Sequence, residues 1–135
     1  MYLTRETDYA LRIIRALRDG DLHTLGDLSQ SEHVPLSFAY KIAKKLERAG
    51  IVELFRGTSG GCQLAADLHY VTIYDLMSAV GEEIAISECM IAGTKCTWRE
   101  SHGKCIVHNN LAKIQENLEH ELKSVSLWDI MSDES

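Results

Sequence analysis

The segment LSFAYKIAKKLERAGIVELFRGTSGG, residues 36–61, carries the strongest structural signal in this sequence. Its apolar residues first recur three and four positions apart, which predicts a helix over 36–49 that Gly50 ends in the left-handed conformation. An apolar run over 51–55 and a glycine-rich stretch over 56–61 follow, and a second short apolar run continues to residue 65. Two apolar runs around such a turn are typical of a β-hairpin.

Two further helices are predicted before this segment. Thr4 is expected to cap the first, whose apolar stripe comprises Leu3, Ala10, Ile13, Ile14 and Leu17. A short helix over 24–31 follows, and the only proline, Pro35, opens the helix over 36–49. Two short helices joined by a brief turn form a helix-turn-helix, and a hairpin directly after it is a wing. The predicted fold is mainly α, a winged helix-turn-helix with a small β-hairpin wing.

The last third of the chain predicts a long C-terminal helix. Apolar residues recur there at spacings of three or four, at Val107, Leu111, Ile114, Leu118, Leu122, Val125 and Trp128. A second copy of the helix is the simplest partner for this stripe, because most soluble oligomers are two-fold homodimers. Packing against its own domain is the alternative. We divide the chain into a winged helix-turn-helix domain (1–66), a connecting helix with a cysteine loop (67–105), and a dimerisation helix with its tail (106–135).

The charge of the chain is divided unevenly. Its 135 residues hold 20 Asp and Glu against 14 Lys and Arg, a net charge of −6, which argues against an indiscriminate nucleic-acid binder. Residues 1–66 nevertheless carry a net charge of +1, and residues 67–135 carry −7. The helix over 36–49 holds a basic cluster, Lys41, Lys44, Lys45 and Arg48, which is either a solvated face or a phosphate-binding surface.

Location in the cell is predicted from what the sequence lacks. The first eight residues contain no apolar signal-peptide core, and no uncharged run approaches the length of a membrane span. We therefore expect a cytoplasmic protein with no membrane partner. Cysteines in that compartment are more often free thiols or metal ligands than disulfides.

Three cysteines and a histidine form the candidate sensor site. Cys89, Cys96, Cys105 and His108 are spaced Cys-x6-Cys-x8-Cys-x2-His, and only the last pair has the short spacing that structural zinc sites favour. Iron–sulfur clusters take thiolates as ligands and accept histidine in place of one. Spacing alone leaves a cluster, zinc and unligated thiols open. Cys62, inside the wing, is expected to be a small buried hydrophobe. No catalytic group is identified, and we expect no enzyme.

Several short stretches occur together in a recognisable order. They are Tyr9-Ala-Leu-Arg12, Leu36-Ser-Phe38, Leu46-Glu-Arg-Ala-Gly-Ile-Val52, Arg56-Gly57 with Gly60-Gly-Cys-Gln-Leu-Ala65, Thr72-Ile-Tyr-Asp-Leu76 and Ser126-Leu-Trp-Asp-Ile130. With the three cysteines, they resemble the Rrf-two family of bacterial winged-helix transcription regulators over nearly the whole chain. The combination of wing and cysteines makes the resemblance specific.

The resemblance implies a homodimer that presents two recognition helices to successive major grooves of a roughly palindromic double-stranded operator. On that helix, Ser37, Tyr40 and Lys41 would face base edges or phosphates. In the wing, Arg56 with Gly60 and Gly61 would reach the minor groove. We assign Lys44 and Lys45 to phosphates on charge alone, because phosphate contacts set salt dependence rather than sequence preference.

For the sensor, the resemblance implies that Cys89, Cys96 and Cys105 are cluster ligands, and it leaves the fourth ligand open. His108 matches a family member with a 2Fe-2S cluster, and Asp8 matches a member in which the partner's first helix supplies a carboxylate to a 4Fe-4S cluster. His33 is a further candidate, together with Asp8. The gaps between the cysteines are longer than is usual for the family, which leaves the cluster type open.

These observations predict a dimeric DNA-binding transcription regulator, a repressor, whose operator affinity is controlled by an iron–sulfur cluster that senses redox state, nitric oxide or iron status. One alternative keeps DNA binding but uses zinc or free thiols in the cysteine loop. Another is a thiol- or metal-handling protein that does not bind DNA and uses the helix-turn-helix only as a structural core.

Overall fold

The computed structural model describes residues 3–133, so residues 1–2 and 134–135, the outer ends of the first and third predicted regions, lie outside the described residues. The helices are α1 (Arg5–Ala16), α2 (Leu25–Glu32), α3 (Leu36–Arg48), α4 (Ile73–Ala79), α5 (Thr97–His102), α6 (Ile106–Ser124) and α7 (Leu127–Ile130). Strands β1 (Val52–Phe55) and β2 (Gly61–Leu64) form an antiparallel hairpin, and 3₁₀ turns cover Leu17–Asp19, Leu68–Tyr70 and Glu88–Met90. The predicted mainly helical winged fold is confirmed. Within residues 3–133, no helix is long and apolar enough to cross a membrane.

One apolar core joins the helices of the first half to the later elements. α1 begins at Thr4, whose Oγ1 accepts a hydrogen bond from the Thr7 amide (3.3 Å), as its capping position predicts. The core includes Ala10, Ile13, Ile14 and Leu17 of α1, Leu28 of α2, Ala39, Ile42 and Leu46 of α3, Leu76 and Met77 of α4, and Leu127 of α7. The prediction for Leu3 is wrong: this residue precedes the cap of α1 and is 48% exposed.

The wing is attached to the helical core through β2. Cys62 exchanges two backbone hydrogen bonds with His23, with N···O distances of 2.7 and 2.9 Å, so the segment before α2 adds a single bridge to the hairpin. Cys62 is fully buried, as expected, and burial raises the pKa of its thiol to about 11. The bridge holds the wing next to the start of α2.

Gly61→Ala is expected to destabilise the chain by about 2 kcal/mol. A Cβ atom on Gly61 would lie 2.4 Å from the carbonyl oxygen of His23, and this backbone atom is fixed by the bridge to β2. Gly26→Ala is the matched control, because an added Cβ there has Thr24 Oγ1 at 3.9 Å as its nearest neighbour and alanine favours a helix. Urea unfolding of both variants measures the difference; equal free energies of unfolding would contradict the expectation.

The C-terminal helix is shorter than the sequence predicts. The apolar spacing continues through Trp128, but α6 ends before Val125, whose backbone is extended (φ −109°, ψ 119°). The carbonyl of Val125 accepts a hydrogen bond from the Ile73 amide (3.2 Å) at the start of α4. Ser126 then caps α7 by accepting a hydrogen bond from the Asp129 amide (3.1 Å). Pairing with the α4 region and a new cap therefore interrupt the predicted stripe.

Candidate nucleic-acid interface and cysteine site

The outward face of α3 is polar and aromatic. Ala39, Ile42, Ala43 and Leu46 are buried, whereas Ser37, Tyr40, Lys41 and Lys44 are exposed. The aromatic side chain among them belongs to Tyr40, which is 51% exposed. Four of the five residues of this helix that were predicted to contact DNA therefore share one accessible face.

A groove separates α3 from the wing. It is lined by Thr24, Leu25 and Gly26 of the α2 start, by Tyr40, Lys44, Glu47 and Arg48 of α3, and by residues 54–58, Gly60 and Gly61 of the hairpin. The groove brings together five predicted contact residues, Tyr40, Lys44, Arg56, Gly60 and Gly61. Ser37 and Lys41 lie outside its lining, on the exposed face of α3.

Two parts of the groove were not predicted from the sequence. The start of α2 lines it through Leu25 and Gly26, and helix N-termini favour anions such as phosphates. The predicted cap at Thr24 was the available signal. Arg48 also lines the groove, although the sequence indicated it only as part of the basic cluster.

The wing glycines have a conformational role that is independent of DNA. A Cβ atom on Gly60 would lie 2.3 Å from the carbonyl oxygen of Phe55, so the loop folds back on β1 more closely than any side chain permits. Gly57 adopts a φ of 97°, which also favours glycine. Arg56 follows β1 directly and is exposed beside this tight loop.

The structure places Lys45 differently from the phosphate contact we expected. Its ammonium lies 2.7 Å from Oε2 of Glu6 and donates a hydrogen bond to the carbonyl oxygen of Val80 (2.9 Å). Lys41 also pairs with Glu6, through Oε1 (2.9 Å), but its side chain remains 57% exposed. Lys45 is thus turned towards α1 and α4, away from the outward face, and does not belong to the candidate interface.

Glu6→Gln is expected to destabilise the chain at neutral pH by about 1 kcal/mol. Hydrogen bonds from Lys45 and then Lys41 lower the pKa of Glu6 from its ordinary value of 4.5. Its contribution to stability is therefore complete above pH 4.5 and is lost as the pH falls through the lower folded-state value. Unfolding free energies measured between pH 7 and pH 3 should converge for Glu6→Gln and the parent chain. Glu53→Gln, at an exposed wing position, is the control, and an equal effect there would contradict the assignment.

Each of the three candidate cysteine ligands lies within or directly before a helical element. Cys89 lies in the Glu88–Met90 turn, Cys96 immediately precedes α5, and Cys105 immediately precedes α6. All three are half-buried free thiols. Among residues 3–133 of the single chain, no three His, Cys, Asp or Glu side chains are close enough to hold a metal ion. The predicted ligand set is not assembled within one chain.

Cys105 and His108 form the one part of that set that the structure does bring together. Sγ of Cys105 accepts a hydrogen bond from the backbone amide of His108 (3.3 Å), which caps α6. Nε2 of His108 lies 3.5 Å from the guanidinium of Arg99. The other ring nitrogen, Nδ1, is buried without a hydrogen-bond partner among the described residues. A buried imidazole nitrogen without a partner, on the first turn of the helix that Cys105 caps, fits the donor set of a metal centre.

Asp8 and His33 lie elsewhere and already have other interactions. Asp8 pairs with Arg12 on the next turn of α1 (3.0 Å), and Arg12 also donates to the carbonyl of His33 (3.4 Å). His33 ends α2 in the left-handed conformation, with φ 55°. Both residues line a cleft between α1, the end of α2 and residues 130–133, and no cysteine lines it.

α6 exposes its apolar residues and buries a polar one. Its buried residue is Gln115, which is 8% exposed, whereas Val107 and Ile114 are 61% and 55% exposed. Leu111 and Leu118 lie in the same row and are half-buried. We call Val107, Leu111, Ile114 and Leu118 the α6 stripe. An exposed apolar row of this kind is typical of a protein–protein contact surface.

A helix-turn-helix, a hairpin wing and a partly basic groove between them define a winged helix-turn-helix protein of the DNA-binding class. The chain belongs to the Rrf2 family, whose model is described as an iron-dependent transcriptional regulator and matches residues 3–133. The family resemblance seen in the sequence is confirmed.

Relatives with named functions agree with this assignment. The HTH-type transcriptional regulator IscR of Vibrio parahaemolyticus is 29% identical over 139 residues, covering 98% of this chain and 79% of the relative. Among solved structures, CymR, the global cysteine regulator of B. subtilis, matches with a TM-score of 0.71 at 20% identity, covering 100% of this chain and 99% of CymR. T. potens IscR also has a TM-score of 0.71, at 16% identity, over 100% of this chain and 89% of its own. Both structural matches support the fold.

Proposed function

We propose that two copies of this chain bind a palindromic double-stranded operator and repress transcription, and that an iron–sulfur cluster controls their affinity. The groove between α3 and the wing is the observation that carries the DNA-binding part. It places an exposed tyrosine, Tyr40, and two cations, Lys44 and Arg56, along one accessible face. The major groove of DNA is wide enough to admit an α-helix such as α3, and a wing beside that helix reaches the neighbouring DNA backbone or minor groove.

Each element of the groove has a distinct proposed task. Ser37, Tyr40 and Lys41 meet base edges or phosphates from the exposed face of α3. Arg56 enters the minor groove. Gly60 lets the loop fold back on β1, and Gly61 lets β2 lie against His23, so that the two glycines hold the wing in position to present Arg56. Lys44, Arg48 and the start of α2 meet phosphates, which supply affinity without sequence preference.

Lys44→Ala is expected to weaken binding to operator and unrelated DNA alike and to reduce the slope of log affinity against log salt. Because each of the two subunits would then neutralise one phosphate fewer, the slope should fall by about two. Fluorescence anisotropy at several salt concentrations measures it. Lys113→Ala, at an exposed position of α6, is the control. An unchanged slope in Lys44→Ala would remove Lys44 from the interface.

The proposed cluster ligands are Cys89, Cys96, Cys105 and His108. His108 is preferred to Asp8 because its Nδ1 is buried without a hydrogen-bond partner three residues after Cys105, whereas the carboxylate of Asp8 is paired with Arg12. These donors suit a 2Fe-2S cluster, which accepts histidine in place of thiolate. Bound there, a cluster would supply a redox-active group whose charge and retention respond to redox state, nitric oxide or iron supply.

Dimerisation is the third part of the proposal. The α6 stripe offers an apolar row to the same row on a second copy, and its spacing of four, three and four residues suits packing between two helices. A dimer also gives two recognition helices, which is what a palindromic operator requires.

A further inference from the structure

We propose that Glu82 is a positioning residue that transmits the state of the cysteine segment to the recognition helix α3. The proposal rests on the cluster-controlled DNA binding proposed above and names the route of that control. Glu82 lies at the start of the connection from α4 to Cys89. It does not line the groove, and its carboxylate bonds to Thr4 and Thr7.

Glu82 fastens this connection to the beginning of α1. One carboxylate oxygen accepts a hydrogen bond from the Thr4 amide (3.3 Å), and the other accepts bonds from the hydroxyls of Thr4 (3.2 Å) and Thr7. Thr7 is fully buried, although it is polar. A carboxylate at a helix N-terminus is favoured by the backbone amides and by the helix dipole. The position of residue 82 and the start of α1 are therefore held together.

The same turn of α1 is fastened to α3. Glu6 accepts hydrogen bonds from Lys45 (2.7 Å) and pairs with Lys41 (2.9 Å). Lys45 also donates to the carbonyl of Val80, only two residues before Glu82 (2.9 Å). The ammonium groups of Lys41 and Lys45 thus connect α3 to α1, and Lys45 also connects it to the end of α4. Hydrogen bonds of this kind, in which one partner is charged, are stronger than those between neutral groups.

The other side of the connection is fastened to α6. The buried side chain of Gln115 accepts a hydrogen bond from the Ile86 amide (2.9 Å) and donates one to the carbonyl of Ile84 (2.7 Å). Residues 84–86 are thereby fixed to α6, the helix that Cys105 caps. The segment that leads to Cys89 is consequently held at two points, one on α6 and one on α1.

These two attachments give movement of the cysteine segment a defined route. The candidate ligands are not gathered in the described single chain, so cluster binding must rearrange residues between Ser87 and Cys105. Gly81, with φ 81° and open space around it, permits the connection to turn where it leaves α4. Residues 84–86, which Gln115 holds to α6, shift together with that helix when Cys105 at its start moves to the cluster. This shift pulls on Glu82 and through it on the start of α1, and Glu6 passes it on to Lys41 and Lys45 of α3.

The test compares operator affinity of cluster-loaded and cluster-free protein, using a DNA fragment selected with the parent chain. Glu82→Ala is expected to reduce the ratio of the two dissociation constants at least about fivefold, with an unchanged visible spectrum and iron content. Glu83→Ala is the matched control, because Glu83 is adjacent and exposed, and should keep the parent ratio. Glu82→Gln, which retains one acceptor oxygen, should give an intermediate ratio and guards against misfolding of the alanine variant.

Hydrogen exchange distinguishes transmission through Glu82 from a contribution of Glu82 to stability alone. The Asp8 amide, bonded to the Thr4 carbonyl (3.0 Å), should exchange at different rates in the loaded and cluster-free parent chain, and at equal rates in Glu82→Ala. An unchanged affinity ratio in Glu82→Ala, or an equal loss in Glu83→Ala, overturns the role of Glu82. If the parent chain itself binds DNA equally with and without the cluster, the proposed function fails and this route fails with it.

Discussion

Ile114→Glu should convert the protein to a monomer and lower its affinity for the operator by about 100-fold or more. The substitution places a carboxylate in the middle of the α6 stripe, where Ile114 is 55% exposed in the single chain and would be enclosed in the dimer. Burying an unpaired charge is strongly unfavourable. Two recognition helices joined in one particle gain about 10²- to 10⁴-fold over one, and the monomer loses that gain.

Sedimentation equilibrium and fluorescence anisotropy measure these two effects on the same preparation. His120→Glu is the control, since it introduces the same charge at an exposed position of α6 away from the stripe. The control should remain dimeric and bind DNA normally. A dimeric Ile114→Glu variant with unchanged affinity would show that the two copies meet elsewhere.

Cys96→Ser should yield protein without the visible absorption of an iron–sulfur cluster and without any response of operator affinity to cluster loading. Thiolates are the primary ligands of such clusters. Cys96 is half-buried immediately before α5, in the segment that carries the other two thiols. The protein should still fold, because Cys96 lies outside the apolar core.

Cys62→Ala distinguishes this effect from a general loss of cysteine. Cys62 is fully buried in the wing, so the variant should keep the cluster at a small cost in stability. The same spectra address the fourth ligand: His108→Ala should change the absorption, and Asp8→Ala should leave it as it is. Full iron content in Cys96→Ser would exclude Cys96 as a ligand.

Local sequence signals predicted the fold well where they reflect local interactions. The periodicity of α3 and the glycines of residues 56–61 predicted the recognition helix and the hairpin. The end of α6 was missed because the apolar spacing continues across Val125. The cap formed by Ser126 and Asp129 was a signal for a new helix, but the hydrogen bond from Ile73 to Val125 joins residues 52 positions apart and cannot be seen in a local pattern.

The candidate site shows the same division. Tyr40 and Lys44 lie on the exposed face of α3 because helical periodicity determines which side chains point outward. The pairing of Lys45 was missed because its partner, Glu6, is 39 residues away and reaches it only through the packing of α1 on α3. The contact between the Cys105 thiol and the His108 amide follows from their separation of three residues at a helix start, whereas spacing did not predict that the three cysteines lie apart in the described chain.

Anaerobic purification followed by a visible spectrum and by iron, sulfide and zinc analysis separates the cluster from its rivals. The account predicts coloured protein with about two iron and two sulfide ions per chain, as a 2Fe-2S cluster requires. Colourless protein that contains one zinc ion per chain, or neither metal, would contradict it.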